Sequence, residues 1–309
     1  MDAKHDILAT LSYFDIFDYP LTQTETAQFL QNSYSNLEIA HALYELAATS
    51  WIFKFDDFYT LQDNRSLIAR RRKGNTRARK MLETAGRIAP FLARFPFVRG
   101  VAVSGSLSKN FADEKSDIDF FIITSANRLW LARTFMHCFK KLTFLFGKQD
   151  LFCMNYYVDE DRLQIKEQNI YTATEIATLL PMQGIDAFNR FYAANKWSMD
   201  FLPNASMRVS YIDEMKNPLF KRFAEFILDN PAGDLLDRLL MKYTAHRWAQ
   251  KTKKRKLNRN GVVMSMDASR HYAKPRPENF QQELILRYEQ KIFALLGRYE
   301  GKLTSTKPI

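Results

Sequence analysis

Two short apolar runs, Val101–Val103 and Phe120–Ile123, bracket a polar stretch that opens on Gly105-Ser106 and closes on Asp117 and Asp119. Runs of this length and residue type between turn signals read as buried strands, here 97–103 and 118–124. Residues two apart on a strand point the same way, so Asp117 and Asp119 present both carboxylates on one face while Ile118 turns into the core. Adjacent carboxylates repel unless a cation lies between them, and hard oxygen ligands on a rigid strand suit Mg²⁺. A tight glycine turn beside them lets backbone N–H groups approach phosphate oxygens. The combination points to a metal–nucleotide site.

An apolar strand, Gly-Ser, a spacer of about ten residues and then Asp-apolar-Asp entering a second apolar strand resembles the nucleotidyltransferase superfamily typified by DNA polymerase beta. The similarity is strongest over residues 96–160. It implies an α+β fold with a mixed sheet flanked by helices. It also implies that Gly105 and Ser106 contact phosphate and that Asp117 and Asp119 hold metal. The activity it implies is Mg²⁺-dependent transfer of a nucleoside monophosphate from a nucleoside triphosphate to an acceptor, with release of pyrophosphate. Two Mg²⁺ ions need three carboxylates, the third on a neighbouring strand. Asp150 takes that place if the strand over 151–158 enters the site at its first residue. Asn155 as a neutral ligand, and Asp159 just past the strand, are the alternatives, because register is not fixed by the sequence. Lys109 and Asn110 either reach the triphosphate or lie in an exposed loop.

A net charge of +11 favours polyanionic partners, nucleic acid among them, without choosing between them. The excess clusters at Arg65 with Arg70–Lys73, Arg77, Arg79 and Lys80, and again from Lys251 through Arg259. Each cluster also reads as a solvated helix face. No apolar run approaches the ~18 residues of a membrane span, so no membrane partner is expected. The N-terminus lacks the marks of a signal peptide. The two cysteines, Cys138 and Cys153, have no metal-ligand spacing, and a reduced cytoplasmic protein is the economical expectation.

Along the chain, residues 1–64 are expected to form three helices and a hairpin, the order of a winged helix. Capping boxes stand at Thr22/Glu25 and Ser35/Glu38. The third helix offers Asn36, Glu38, His41 and Glu45 but no Lys or Arg, which suits contact with protein or substrate better than a DNA groove. Residues 65–95 read as a basic linker helix punctuated by Pro90. Residues 96–205 are the expected catalytic domain, with an apolar helix over 127–146 ended by Gly147, and a later helix capped by Thr172 with Glu175. Residues 206–309 read as a helical C-terminal region, interrupted by a basic irregular loop holding Asp267, Arg270, His271, Lys274 and Arg276. His271, in that basic loop, is the one histidine worth testing for phosphate contact, and His137 is expected to be packed.

The acceptor stays open between RNA, a small molecule, a sugar phosphate and a protein side chain. Two other functions stay open with it. One is a DNA- or protein-binding regulator whose transferase domain only senses nucleotide. The other is an antitoxin-like modification of a protein.

Overall fold

The computed structural model describes residues 2–143, 153–205, 208, 215–255, 266–275 and 280–305. Asp150, Gly147, Lys256, Arg259 and Arg276 lie outside the described residues, as does the C-terminal end of the helix expected over 127–146.

The N-terminal unit runs α1 (Ala3–Asp15), β1 (Leu21–Thr22), α2 (Gln23–Phe29), α3 (Asn36–Ala48), β2 (Phe53–Phe55) and β3 (Phe58–Thr60), with an antiparallel sheet in the order β1-β3-β2. Both expected capping boxes form: Thr22 and Glu25 start α2, and Ser35 and Glu38 start α3. Satisfying the first amides in this way fixes where each helix begins. α4 (Ser66–Leu92) is the expected long basic helix. Pro90 lies inside it rather than before the next strand, since in the last turn a missing N–H removes only one helical bond. Arg71, 2% exposed, ties α4 to the N-terminal unit through Glu25 at 2.5 Å, the Pro20 carbonyl at 3.3 Å and the Tyr19 ring at 3.7 Å.

The main sheet holds β4 (Val98–Val103), β5 (Asp119–Thr124), β6 (Cys153–Asp159), β7 (Leu180–Gln183), β8 (Met266–Ala268) and β9 (Tyr272–Pro275), in the order β7-β4-β5-β6-β9-β8. Only β5 and β6 pair in parallel, and the other neighbours are antiparallel. This is a mixed α+β sheet of the expected class. A four-residue turn of helix, α5 (Gly105–Ser108), follows β4, and α6 (Leu129–Thr143) belongs to the crossover from β5 to β6. The run Phe120–Ile123 is apolar on every residue because both faces of β5 are covered. Phe120 and Ile122 pack with Trp130, Leu92 and Val101 on one side, and Phe121 and Ile123 pack with Phe188 and Phe191 on the other.

Among the described residues, four further helices follow: α7 (Ile170–Thr178), α8 (Ile185–Ala194), α9 (Ser198–Phe201) and α10 (Leu219–Leu228). After them come α11 (Pro231–Lys253) and α12 (Phe280–Ser305). Two local expectations change, and one strand is added. The cap of α7 is Asn169, with Thr172 rather than Glu175 at the box position, so Glu175 is released from capping. Leu180–Gln183 is a strand, and its Pro181 is tolerated because β7 is an edge. The basic loop contains the β8–β9 hairpin, which adds to the sheet through Tyr157–Ala273 and Val158–Tyr272.

The region after residue 206 therefore does not pack as one body. α11 lies on α6 and β8, while α12 returns to α1. Tyr288, Leu284 and Tyr299 of α12 share the core of Ile7, Leu11 and Phe14. Gln31 Nε2 donates to the Tyr288 hydroxyl at 3.1 Å, and Lys291 pairs with Asp15. No helix among the described residues is long and apolar enough to cross a membrane.

Candidate functional site

β4 ends at Val103, and the chain turns sharply at Gly105, whose φ of 70° is a conformation that L side chains rarely adopt. The turn lies against the start of β5. The Ser104 amide donates to the Asp119 carbonyl at 2.9 Å, and a Cβ added at Gly105 would meet Asp119 Oδ2 at 3.2 Å. The first amides of the α5 turn have no intrahelical acceptor, as at any helix start. Ile118 is buried, Asp117 is exposed and Asp119 is half-buried. The aspartate pair thus straddles the beginning of β5, with Asp117 still in the loop. Burial, then the nearby charges of Asp117 and Glu175, push the Asp119 carboxyl up to about 6, while a hydrogen bond from Cys153 and the charge of Lys140 oppose the shift.

These residues open into a cavity of about 1420 Å³. Its basic wall is Arg70, Lys73 and Arg77 of α4, with Gly74 between them. The spacing i, i+3, i+4, i+7 is one helix face, a signal present in the sequence but hidden within a longer basic run. Arg70 pairs with Asp113 at 2.9 Å, and Lys73 and Arg77 pair with Glu114 at 3.1 and 3.4 Å. They thereby hold the loop between the glycine turn and the aspartates. Gly74 has no side chain because Phe111 packs there: an added Cβ would lie 2.3 Å from its ring. The far wall is aromatic and apolar, with Phe121, Tyr156, Tyr171, Phe191 and Phe280.

Lys109 is half-buried and paired within the protein. Its ammonium donates to the Gly105 carbonyl at 3.2 Å and to Glu175 at 2.7 Å. Glu175, which the sequence pattern places at the α7 cap, faces the cavity beside this pair instead. In β6 the residue in register with Asp119 is Cys153, and a bulge lies between Phe120/Met154 and Phe121/Tyr156. Asn155 is the extra residue at that bulge, and it lines the cavity. Burial and the Asp119 charge push the Cys153 thiol up to about 12, so it is a neutral donor. Asp159 lies at the other end of β6 with 0% exposure. It accepts from the amides of Asn127 at 2.9 Å and Arg162 at 3.2 Å, and it holds His271 Nδ1 at 3.0 Å, so its oxygens are committed to the fold. Burial pushes its carboxyl up, against those hydrogen bonds. His137, expected to be packed, is instead exposed on α6 and stands outside the cavity lining.

A divalent ion fits the aspartate pair. Asp119 is a crowded carboxylate that a cation would stabilise, and Mg²⁺ is commonly held by one or two carboxylates plus substrate phosphates. Among the described residues no three Asp, Glu, His or Cys side chains group closely enough to hold a metal without such oxygens.

Residues 87–185 match the family model described as a nucleotidyltransferase domain, which spans α4's last turns, the glycine turn, both aspartates and β7. No curated protein and no solved structure gives a significant match to the chain.

Proposed function

We propose, from the premise that residues 87–185 form a nucleotidyltransferase domain, that this chain binds a nucleoside triphosphate with Mg²⁺ at the Gly105 turn and transfers the nucleoside monophosphate to an acceptor. The observation that carries it is the juxtaposition of Gly105, in a left-handed turn, with Asp119 Oδ2 at the mouth of a large cavity. Gly105 and Ser106 supply amides for the β,γ-phosphates, and Arg70, Lys73 and Arg77 supply charge along the triphosphate. Asp117 and Asp119 hold the metal, which when bound neutralises phosphate oxygens and orients the transferred group. The aromatic wall is suited to a base. Asp150 stays the proposed third carboxylate, because the β6 residues nearest Asp119 are the neutral Cys153 and Asn155.

That neutrality also supports the second function, a protein that senses nucleotide and turns it over slowly or not at all. The N-terminal unit is proposed as winged-helix-like, supported by its element order and by the β1-β3-β2 sheet. Its α3 exposes Leu37 and Tyr44 and no Lys or Arg, which favours a protein contact over DNA. A cytoplasmic location is proposed on the two unpaired cysteines alone.

The test is Asp119→Asn, which keeps shape and removes charge. The variant should fold and lose Mg²⁺-dependent triphosphate affinity by about a hundredfold or more in calorimetric titrations with each of the four ribonucleoside triphosphates. Wild-type affinity in the folded variant overturns the site. Pyrophosphate release by the wild-type chain separates transfer from sensing.

A further inference from the structure

A second cavity, of about 270 Å³, adjoins the first and shares Tyr156, Ile165, Glu167 and Lys274 with it. It lies where β6 meets β9, and Arg162, Lys166, Arg270, His271 and Lys274 also line it. We propose that this groove seats a phosphate group of the acceptor, so that the acceptor is a phosphate ester or a phosphodiester strand. The proposal rests on the transferase function above and names the substrate class for that site.

The charges in the groove are not all spoken for. Lys274 is held by Glu167 at 2.5 Å, and His271 by Asp159 at 3.0 Å and Asp161 at 3.7 Å. Arg162, Lys166 and Arg270 are exposed and make no ion pair among the described residues. The His271 ring is fixed through Nδ1, which leaves Nε2 as its remaining polar atom. Tyr272 lies under both Lys166 and Lys274, at 5.6 and 5.2 Å, and so holds two ammonium groups over one ring. Three free cations and an imidazole around a concave space of this size match the oxygens of one phosphate group.

Position separates this seat from the triphosphate's own. The α4 cations pair with the loop after the glycine turn, from a helix that lies against β4 and β7, whereas the groove lies beyond β6. Tyr156 and Val158 stand three and five residues along β6 from Cys153, or ~10 and ~17 Å at the usual strand rise. A group seated there reaches the aspartates through the shared wall, from the side opposite the triphosphate tail.

The experiment uses the full chain, with ribose 5-phosphate and a fluorescein-labelled single-stranded octaribonucleotide as probes. Arg162→Ala/Arg270→Ala should weaken binding of the phosphate probe by about tenfold or more, since each lost charged contact is a large part of such affinity. Mg²⁺–triphosphate affinity should stay within about twofold, as expected for separate sites. The same shift with both probes assigns a small ester. Binding of the octaribonucleotide alone, with a steep salt dependence, assigns a strand. Equal probe affinity in wild type and variant overturns the groove, as does a matching loss of triphosphate affinity. Absent phosphate binding with intact nucleotide binding rejects the groove and leaves the transferase site standing. Absent nucleotide binding rejects the transferase function, and the acceptor role falls with it.

Discussion

Gly105 and Asp119 depend on each other through one contact. At φ 70° any side chain at residue 105 is strained, and its Cβ would press on Asp119 Oδ2 at 3.2 Å. Gly105→Ala should therefore lower unfolding free energy by about 1–2 kcal/mol, the cost of a left-handed L-residue. It should also lose triphosphate affinity that Ser106→Ala largely keeps, because in the proposed site the turn offers phosphate its amides rather than the Ser106 hydroxyl. Urea denaturation and calorimetry on the two variants check this, and equal nucleotide affinity in Gly105→Ala would refute the turn's role. The aspartate pair and this glycine were legible because the turn and strand signals that mark them lie in neighbouring residues. Glu175 was not. Both Thr172 and Asn169 can cap α7, and only packing chose Asn169, which moved Glu175 from the cap to the cavity wall.

Helices normally bury an apolar face, and α10 does the reverse. Phe223 and Phe226 are 66% and 82% exposed, while Lys221 is 0% exposed. Lys221 Nζ donates to the carbonyls of Ala93 and Val98 at 2.9 and 2.8 Å. One turn later, Glu225 accepts from the Phe97 amide at 2.6 Å and from Arg99 at 2.8 Å. The pair clamps the connection from α4 to β4, where Phe97 has a φ of 63°. Glu225→Ala leaves a buried amide unpaired and should cost about 1–3 kcal/mol in guanidinium unfolding. Burial pushes Lys221 down to about 8 from an ordinary value of 10.5. Between those values the unfolded chain holds a proton that the folded chain has released, so stability should rise with pH from about 8 to 10.5. The whole gain is roughly 3 kcal/mol. Lys221→Met should flatten that rise, and an unchanged slope in the variant would assign it elsewhere. The residue pattern of α10 is amphipathic, yet the face that packs carries Lys221 and Glu225, because their partners lie more than a hundred residues away.

At the scale of the molecule, the N-terminal unit is not a separate bead. Its core includes Phe111, Ala173, Leu284, Tyr288 and Tyr299 from outside residues 1–64. Tyr19 donates its hydroxyl to the Lys109 carbonyl at 2.5 Å, which ties the unit to the turn that carries the candidate site. The fragment 1–64 should therefore lack a cooperative thermal transition, since it exposes surface that α12 and α7 cover in the whole chain. Circular dichroism of the fragment beside the full chain tests this, and a sharp transition in the fragment would show an autonomous domain.

By itself the sequence determined the strand pair, the glycine turn and the helix starts at Thr22 and Ser35, because each follows from neighbours within a few residues. Tertiary structure decided the rest. It bulged β6 so that Cys153 stands opposite Asp119, it turned Lys109 onto Glu175, and it brought β9 beside β6. Strand register, helix facing and sheet order depend on contacts between segments distant in the chain, and local residue pattern carries no record of which distant partner is met.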